Sequence, residues 1–229
     1  MLCVSNLIVK INSFQLSINF EINPETITAI IGPSGAGKST LLDAISGFSS
    51  VESGTVFWGE KSLDSLAPSL RPITIVFQDN NLFPHLNVYQ NVALGLTTKL
   101  RYQPKFNDQI NNALFNVDML NYSEKYPSQL SGGQKGRIAL ARALVRKKPL
   151  LLLDEPFSAL GPALRKEMLN LVKSISTKNK LTVLIVSHDP KELIGVCENV
   201  IIVAENEATG PYNLQNILMK PPKSLSEYL

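Results

Sequence analysis

From Gln15 to Ile22 apolar and polar residues alternate, with Leu16, Ile18, Phe20 and Ile22 apolar and Gln15, Ser17, Asn19 and Glu21 polar. A period of two with one wet face predicts a half-buried strand of the antiparallel kind. Leu2 to Ile11 is its expected hairpin partner, turning near Asn12-Ser13. Further along, Leu150 to Leu153 and Thr182 to Val186 carry no polar face and read as strands buried on both sides, central in a parallel sheet. Ile27 to Ile31, Thr55 to Trp58, Ile73 to Phe77 and Asn199 to Ala204 have strand length as well. After Gln78 the period changes. From Val88 to Leu120 apolar residues follow helical spacing, with Ile110, Leu114 and Val117 on one face, and Lys135 to Arg146 repeats it with Ile138, Ala141 and Val145. Residues 86–145 therefore read as a helical insertion into an α/β unit formed by 1–85 and 146–229. Past Ala204 the expectation is a short helix and a tail containing Pro221-Pro222.

Composition narrows this picture. With 229 residues, 44% hydrophobic and 18% charged, the chain has enough apolar side chain for one core with an appended subdomain. A net charge of +3 without a concentrated basic face argues against a nucleic-acid partner. Arg142, Arg146, Lys147 and Lys148 crowd a helix end where positive charge suits the dipole, so they read as solvated capping charge. Cys3 and Cys197 imply neither a disulfide framework nor a metal site, which suits a reducing compartment. No run approaches the roughly 18 apolar residues of a membrane span, and Met1 to Asn6 does not open a signal peptide. The expectation is a soluble cytoplasmic chain unless something tethers it.

The chemistry begins at Gly32, Pro33, Ser34, Gly35, Ala36, Gly37, Lys38, Ser39 and Thr40, which fit G-x-x-x-x-G-K-[ST] between an expected strand and an expected helix. A helix start leaves backbone N–H groups unpaired and partly positive, and glycines let the preceding loop curl its amides inward around phosphate oxygens. Lys38 adds a full charge near the β- and γ-phosphates, and the Ser39 hydroxyl can take a place on Mg²⁺. The loop predicts a nucleoside triphosphate site. Asp154 and Glu155 end an apolar strand expected next to that loop. Two adjoining carboxylates repel unless a cation or proton intervenes, and Asp154 on Mg²⁺ with Glu155 as base for the attacking water resolves the tension. Gln78 and His188 also follow strands, where they can reach a metal, a water or the γ-phosphate. Taken alone, Gln78 reads as an ordinary loop residue and His188 as a satisfied structural histidine. Phe14 is either a base-stacking aromatic or the edge of a core. Ser131, Gly132, Gly133 and Gln134 form a second helix start suited to an anion.

Taken in order, Gly32 to Thr40, Gln78, Leu130 to Gln134, Asp154-Glu155 and His188 resemble the ATP-binding subunits of ABC transporters over nearly the whole chain. The resemblance implies a P-loop NTPase core of RecA-like type with an antiparallel β subdomain and an inserted α-helical subdomain. It implies ATP and Mg²⁺ as ligands, with Lys38 on the phosphates, Ser39, Gln78 and Asp154 on the metal or its waters, Glu155 as base and His188 at the γ-phosphate. Two copies would bind head to tail, each ATP lying between one copy's phosphate loop and the other's Leu130 to Gln134. A transmembrane permease would dock near Gln78 against Leu82, Phe83 and Leu86, at the cytoplasmic face of the inner membrane. A periplasmic substrate-binding protein would take part indirectly. Within the family, Ile30 to Leu42, Phe77 to Phe83 and Pro156 to Leu160 through Lys166 to Leu169 are similar to the thiamine-import branch. Soluble members that act in DNA repair or on ribosomes need a long coiled coil or two nucleotide domains, and neither fits. The chain departs from the family pattern at Gly161, where Asp is usual, at Lys135-Gly136, and in lacking a clear adenine-stacking aromatic, for which Phe14 is the substitute.

Overall fold

The computed structural model describes residues 1–79, 81–97, 104–225 and 228. Asn80, in the loop expected after Gln78, and residues 98–103 of the expected helical insertion lie outside that set.

In chain order the elements are β1 Leu2–Ile11, β2 Phe14–Ile22, β3 Ile27–Ile31, α1 Lys38–Ser46, β4 Ser53–Trp58, β5 Lys61–Ser62 and β6 Ile73–Val76. Then come α2 Val88–Ala93, α3 Asn107–Phe115, α4 Gly132–Leu144, β7 Leu150–Asp154, α5 Pro162–Asn179, β8 Thr182–Val186, β9 Asn199–Ala204, β10 Glu207–Asn213 and α6 Leu214–Met219. The ten strands form one sheet in the order β5-β4-β1-β2-β10-β9-β3-β8-β7-β6. Its first part is antiparallel, with β1 and β2 joined through Asn12 in a left-handed conformation at φ 54°. From β9 to β6 every pairing is parallel.

The all-apolar strands are buried on both sides, as their lack of a polar face predicts. In β7 Leu151 and Leu153 face the cluster containing α4 and α5, whereas Leu150 and Leu152 face the one containing α1. In β8 Val183 and Ile185 divide from Leu184 and Val186 in the same way. At roughly 25 cal/mol per Å² of apolar surface removed from water, strands buried on both faces stabilise through each of the two clusters they join. The helix that starts at the phosphate loop is held at its other end too. Buried Arg71 donates to the carbonyls of Ala44 and Ile45, the latter at 2.7 Å, and so caps the C-terminal end of α1 alongside the Gly47 amide.

Three expectations change. The segment after Ala204 contains a strand, β10, which pairs parallel with β2 and antiparallel with β9 and so joins the two halves of the sheet. Only Ala208 of it enters a core cluster, so no hydrophobic run announces it. Second, β8 lies between the phosphate-loop strand β3 and the acid-bearing strand β7, which are therefore not neighbours. Third, Arg142 is half-buried rather than solvated and donates to the carbonyl of Asn81 at 2.7 Å, tying α4 to the loop that follows Gln78.

Candidate active site

The phosphate loop leaves β3 through Gly32, whose Cβ, if it had one, would sit 1.9 Å from the Val203 carbonyl oxygen of β9. Only glycine fits against that strand. At the other end Gly37 caps α1 in a left-handed conformation, φ 104°, which places the amides of the helix start at the mouth of the loop. Ser34, Gly35 and Ser39 are exposed, Pro33, Ala36, Gly37 and Thr40 are half-buried, and Lys38 is buried. The Lys38 ammonium donates to the carbonyls of Gly32 (2.8 Å) and Pro33 (2.9 Å). Burial pulls its pKa below the ordinary lysine value, while Glu155 and Asp154 push it back up.

The carboxylates arrive from β7. Burial raises the Asp154 carboxyl above its usual range, opposed by a hydrogen bond with Ser39; Glu155 adds to the rise and Lys38 counters it. Glu155, next along, takes a left-handed backbone conformation at φ 44°, a cost borne at the turn that presents its side chain. Its Oε2 lies 3.3 Å from Nδ1 of His188, carried by the adjoining strand β8. The intervening strand therefore contributes a site residue of its own. Arg165 of α5 braces both turns: it donates to both carboxylate oxygens of Glu192 at 2.9 Å and to the carbonyls of Ser158 and Leu160. Gln78 is exposed just past the end of β6, which pairs with β7 in a register that sets Val76 beside Leu153.

Phe14 stands beside the loop, half-buried, and its ring with Leu16 occupies the space a Cβ on Gly37 would need. The second helix start belongs elsewhere. Ser131 caps α4 by accepting from the Gln134 amide, and the Gln134 side-chain oxygen accepts from the Ser131 amide, a reciprocal capping box. Gly132 and Gly133 face Leu160 and Leu164, so their lack of side chains sets the approach of α4 to α5. The partners of this cap and those of the phosphate loop share no residue.

Of the apolar residues expected to meet a membrane partner, Phe83 is 47% exposed and Leu82 half-buried, but Leu86 is only 5% exposed. Leu86 is core, because its carbonyl is held by buried Asn91 at 2.9 Å and the loop turns it inward. Sequence patterning also misses Arg165 and Tyr228. Both stand outside any motif, and each acts on a neighbour distant in sequence.

A family model described as ABC transporter matches residues 16–158. The thiamine import ATP-binding protein ThiQ of Ruegeria sp. (strain TM1040) is 45% identical over 229 residues, covering 100% of this chain and 99% of that protein. Its namesake in Haemophilus influenzae (strain Rd) is 44% identical, covering 90% of this chain and 96% of that protein. Among solved structures, a nucleotide-free ATP-binding cassette from an ABC transporter superposes with a TM-score of 0.91 at 22% identity, covering 100% of this chain and 98% of that one, a likeness of fold. A bacterial ABC transporter cassette solved as a dimer gives 0.77 at 26% identity, covering 93% and 99%. With a family match over more than half its length and a relative 45% identical from end to end, this chain belongs to the ABC transporter family.

Proposed function

We propose that this chain is the ATP-hydrolysing, energy-coupling subunit of an importer, and that the solute carried is thiamine. One observation bears most of the weight for hydrolysis: Glu155 lies 3.3 Å from His188, and Asp154 is close enough to Ser39 and Lys38 of the phosphate loop for both to act on its carboxyl. Thiamine is supported by the names of the relatives that match over the full length.

Mg²⁺ suits the residues present. Among the described residues no cluster of three or more His, Cys, Asp or Glu could cage a metal, and Mg²⁺ needs none, since it takes most of its ligands from water and phosphate. Ser39, Asp154 and Gln78 would hold it, directly or through water. Bound there, it neutralises charge on the phosphate oxygens.

The residues of the chain do the rest. Lys38 and the amides from Gly35 to Thr40 gather the phosphates, in the space that Pro33, Ser34 and Ala36 leave open. Glu155 accepts a proton from the attacking water as its oxygen bonds to the γ-phosphorus and the bond to ADP breaks. His188, within reach of Glu155, orients that water and the γ-phosphate. Phe14 offers an aromatic face beside the loop for adenine. Ser131, Gly132, Gly133 and Gln134 supply a helix start to the ATP of a second, head-to-tail copy. In this reading 86–145 is the helical subdomain and 1–85 with 146–229 the nucleotide-binding core.

Among the described residues no helix is long and apolar enough to cross a membrane, so membrane attachment falls to a partner. A cavity of about 240 Å³ between β6, Phe83 and the end of α4, lined also by Leu94, Arg142 and Arg146, suits a short helix of a transmembrane permease. In this reading the chain works at the cytoplasmic face of the inner membrane, with a periplasmic binding protein engaged through the permease. The test is recovery of a tagged chain with its membrane partners, followed by labelled thiamine uptake with and without it. Uptake that persists without the chain removes it from the importer. Glu155→Gln should keep ATP binding while turnover falls by about 10²-fold or more; unchanged turnover removes Glu155 as base.

A further inference from the structure

Tyr228 lies outside every motif. Its ring packs against the main apolar cluster, and Leu225, whose carbonyl accepts from the Tyr228 amide at 2.9 Å, is fully buried. The phenol is thereby set over the edge of the sheet where the nucleotide residues gather. Its O–H donates to the carbonyl of Ser187 at 3.1 Å, and the Gly32 backbone lies close enough to lower the pKa of the phenol. Gly32 opens the phosphate loop, and Ser187 immediately precedes His188.

The turn it touches has few other anchors. The Ser187 amide reaches the carbonyl of Ile30 at 3.3 Å, and the remaining bonds of Ser187 are with Asp189 in the same turn. The His188 side chain is 49% exposed, with Glu155 as its polar contact at 3.3 Å. Buried packing does not fix where that imidazole stands. A clamp on the backbone beside it does.

We propose that Tyr228 is a positioning residue for hydrolysis: its phenol holds the Ser187 carbonyl and so fixes the Ser187-His188 turn, setting His188 against Glu155. The proposal rests on the roles given above to His188 and Glu155. Burial, with Glu155 and Asp189 nearby, pushes the phenol up to about 12, so it stays protonated and able to donate across any working pH. Tyr228 acts through the turn whose Ser187 carbonyl it holds.

Tyr228→Phe keeps the ring in its apolar seat and removes only the oxygen. In the membrane complex recovered with the tagged chain, we expect kcat to fall on the order of tenfold with KM for ATP nearly unchanged, as for a displaced catalytic group. Combined with His188→Ala, the substitution should cost nothing further, because the group it positions is gone. In the nucleotide-free full chain, amide exchange at His188 and Asp189 should quicken while the thermal midpoint holds. Wild-type kcat in Tyr228→Phe, a loss that adds in full to that of His188→Ala, or unaltered exchange at the turn would each overturn the proposal. Failure of the hydrolytic reading looks different: Glu155→Gln and His188→Ala would then turn over like the wild type.

Discussion

Burial raises the Asp154 carboxyl, and although Ser39 and Lys38 oppose the rise, the direction stays upward. Asp43, on α1, is raised as well, by burial first and Asp154 second. Two half-buried acids, one of them raised in part by the other, burden the nucleotide-free protein. Because the native carboxyl holds its proton more tightly than the unfolded one, stability falls as pH rises from the ordinary 3.8 through the raised value. Above that value the full cost is present. Asp154→Asn should therefore raise the thermal midpoint of the nucleotide-free chain at pH 7, with an advantage that shrinks as pH drops toward 4, and hydrolysis should be lost. A midpoint that falls at pH 7 would mean the Ser39 hydrogen bond outweighs burial. Residues like these were legible because phosphate chemistry compresses its needs into a few adjacent positions, Lys38 beside Ser39 and Asp154 beside Glu155. Tyr228 and Arg165 were not, since a lone phenol or guanidinium acquires its role only when the fold brings Ser187, Gly32 or Glu192 to it.

Among the elements, α4 contains three glycines with different tasks. A Cβ on Gly133 would meet Leu164 at 2.7 Å, so α4 starts as close to α5 as a bare backbone allows. A Cβ on Gly136 would meet Met168 at 3.4 Å and the Phe157 ring at 3.6 Å, which is ordinary contact with a pliant neighbour. Helix propensity then decides: Gly136→Ala should stabilise by up to about 1 kcal/mol, whereas Gly133→Ala must displace Leu164 and should destabilise. Denaturant midpoints of the two variants check this, and a loss of stability in Gly136→Ala would show that Met168 does not yield. Gly161 caps α5 with no side-chain bond and nothing within 4 Å of its Cβ position, so Gly161→Asp should add a few tenths of a kcal/mol. Period alone revealed the strands whose two faces are apolar, β7 and β8, and the helix face of Ile110, Leu114 and Val117. It could not reveal β10, held by backbone pairing on both sides with Ala208 as its one core residue, nor the interposition of β8, which is a matter of strand order rather than composition.

At the scale of the whole molecule, the cap of α4 and the phosphate loop have separate surroundings, so the proposed composite site needs two copies in a closed, two-fold arrangement. That geometry predicts complementation between dead variants. Lys38→Ala spoils both sites of its own dimer, and Ser131→Arg, which replaces the cap oxygen with a bulky charge, spoils both of its own. A mixed dimer joins the intact phosphate loop of one chain to the intact cap of the other and regains one whole site. An equal mixture that reassorts freely should recover about a quarter of the wild-type sites, since half the dimers are mixed and each carries one. The test of whether that site turns over unaided lies at Gly161, which has no side chain to reach toward a second nucleotide and has nothing within 4 Å of where its Cβ would be. Independent sites would give ATPase activity near that quarter, and adding Gly161→Asp to both chains should couple the sites and pull the recovered activity below it. No recovery in the mixture, with both variants folded and mixed dimers formed, would rule out the shared site. Equal activity with and without the Asp would rule out Gly161 as the point where coupling is weakened.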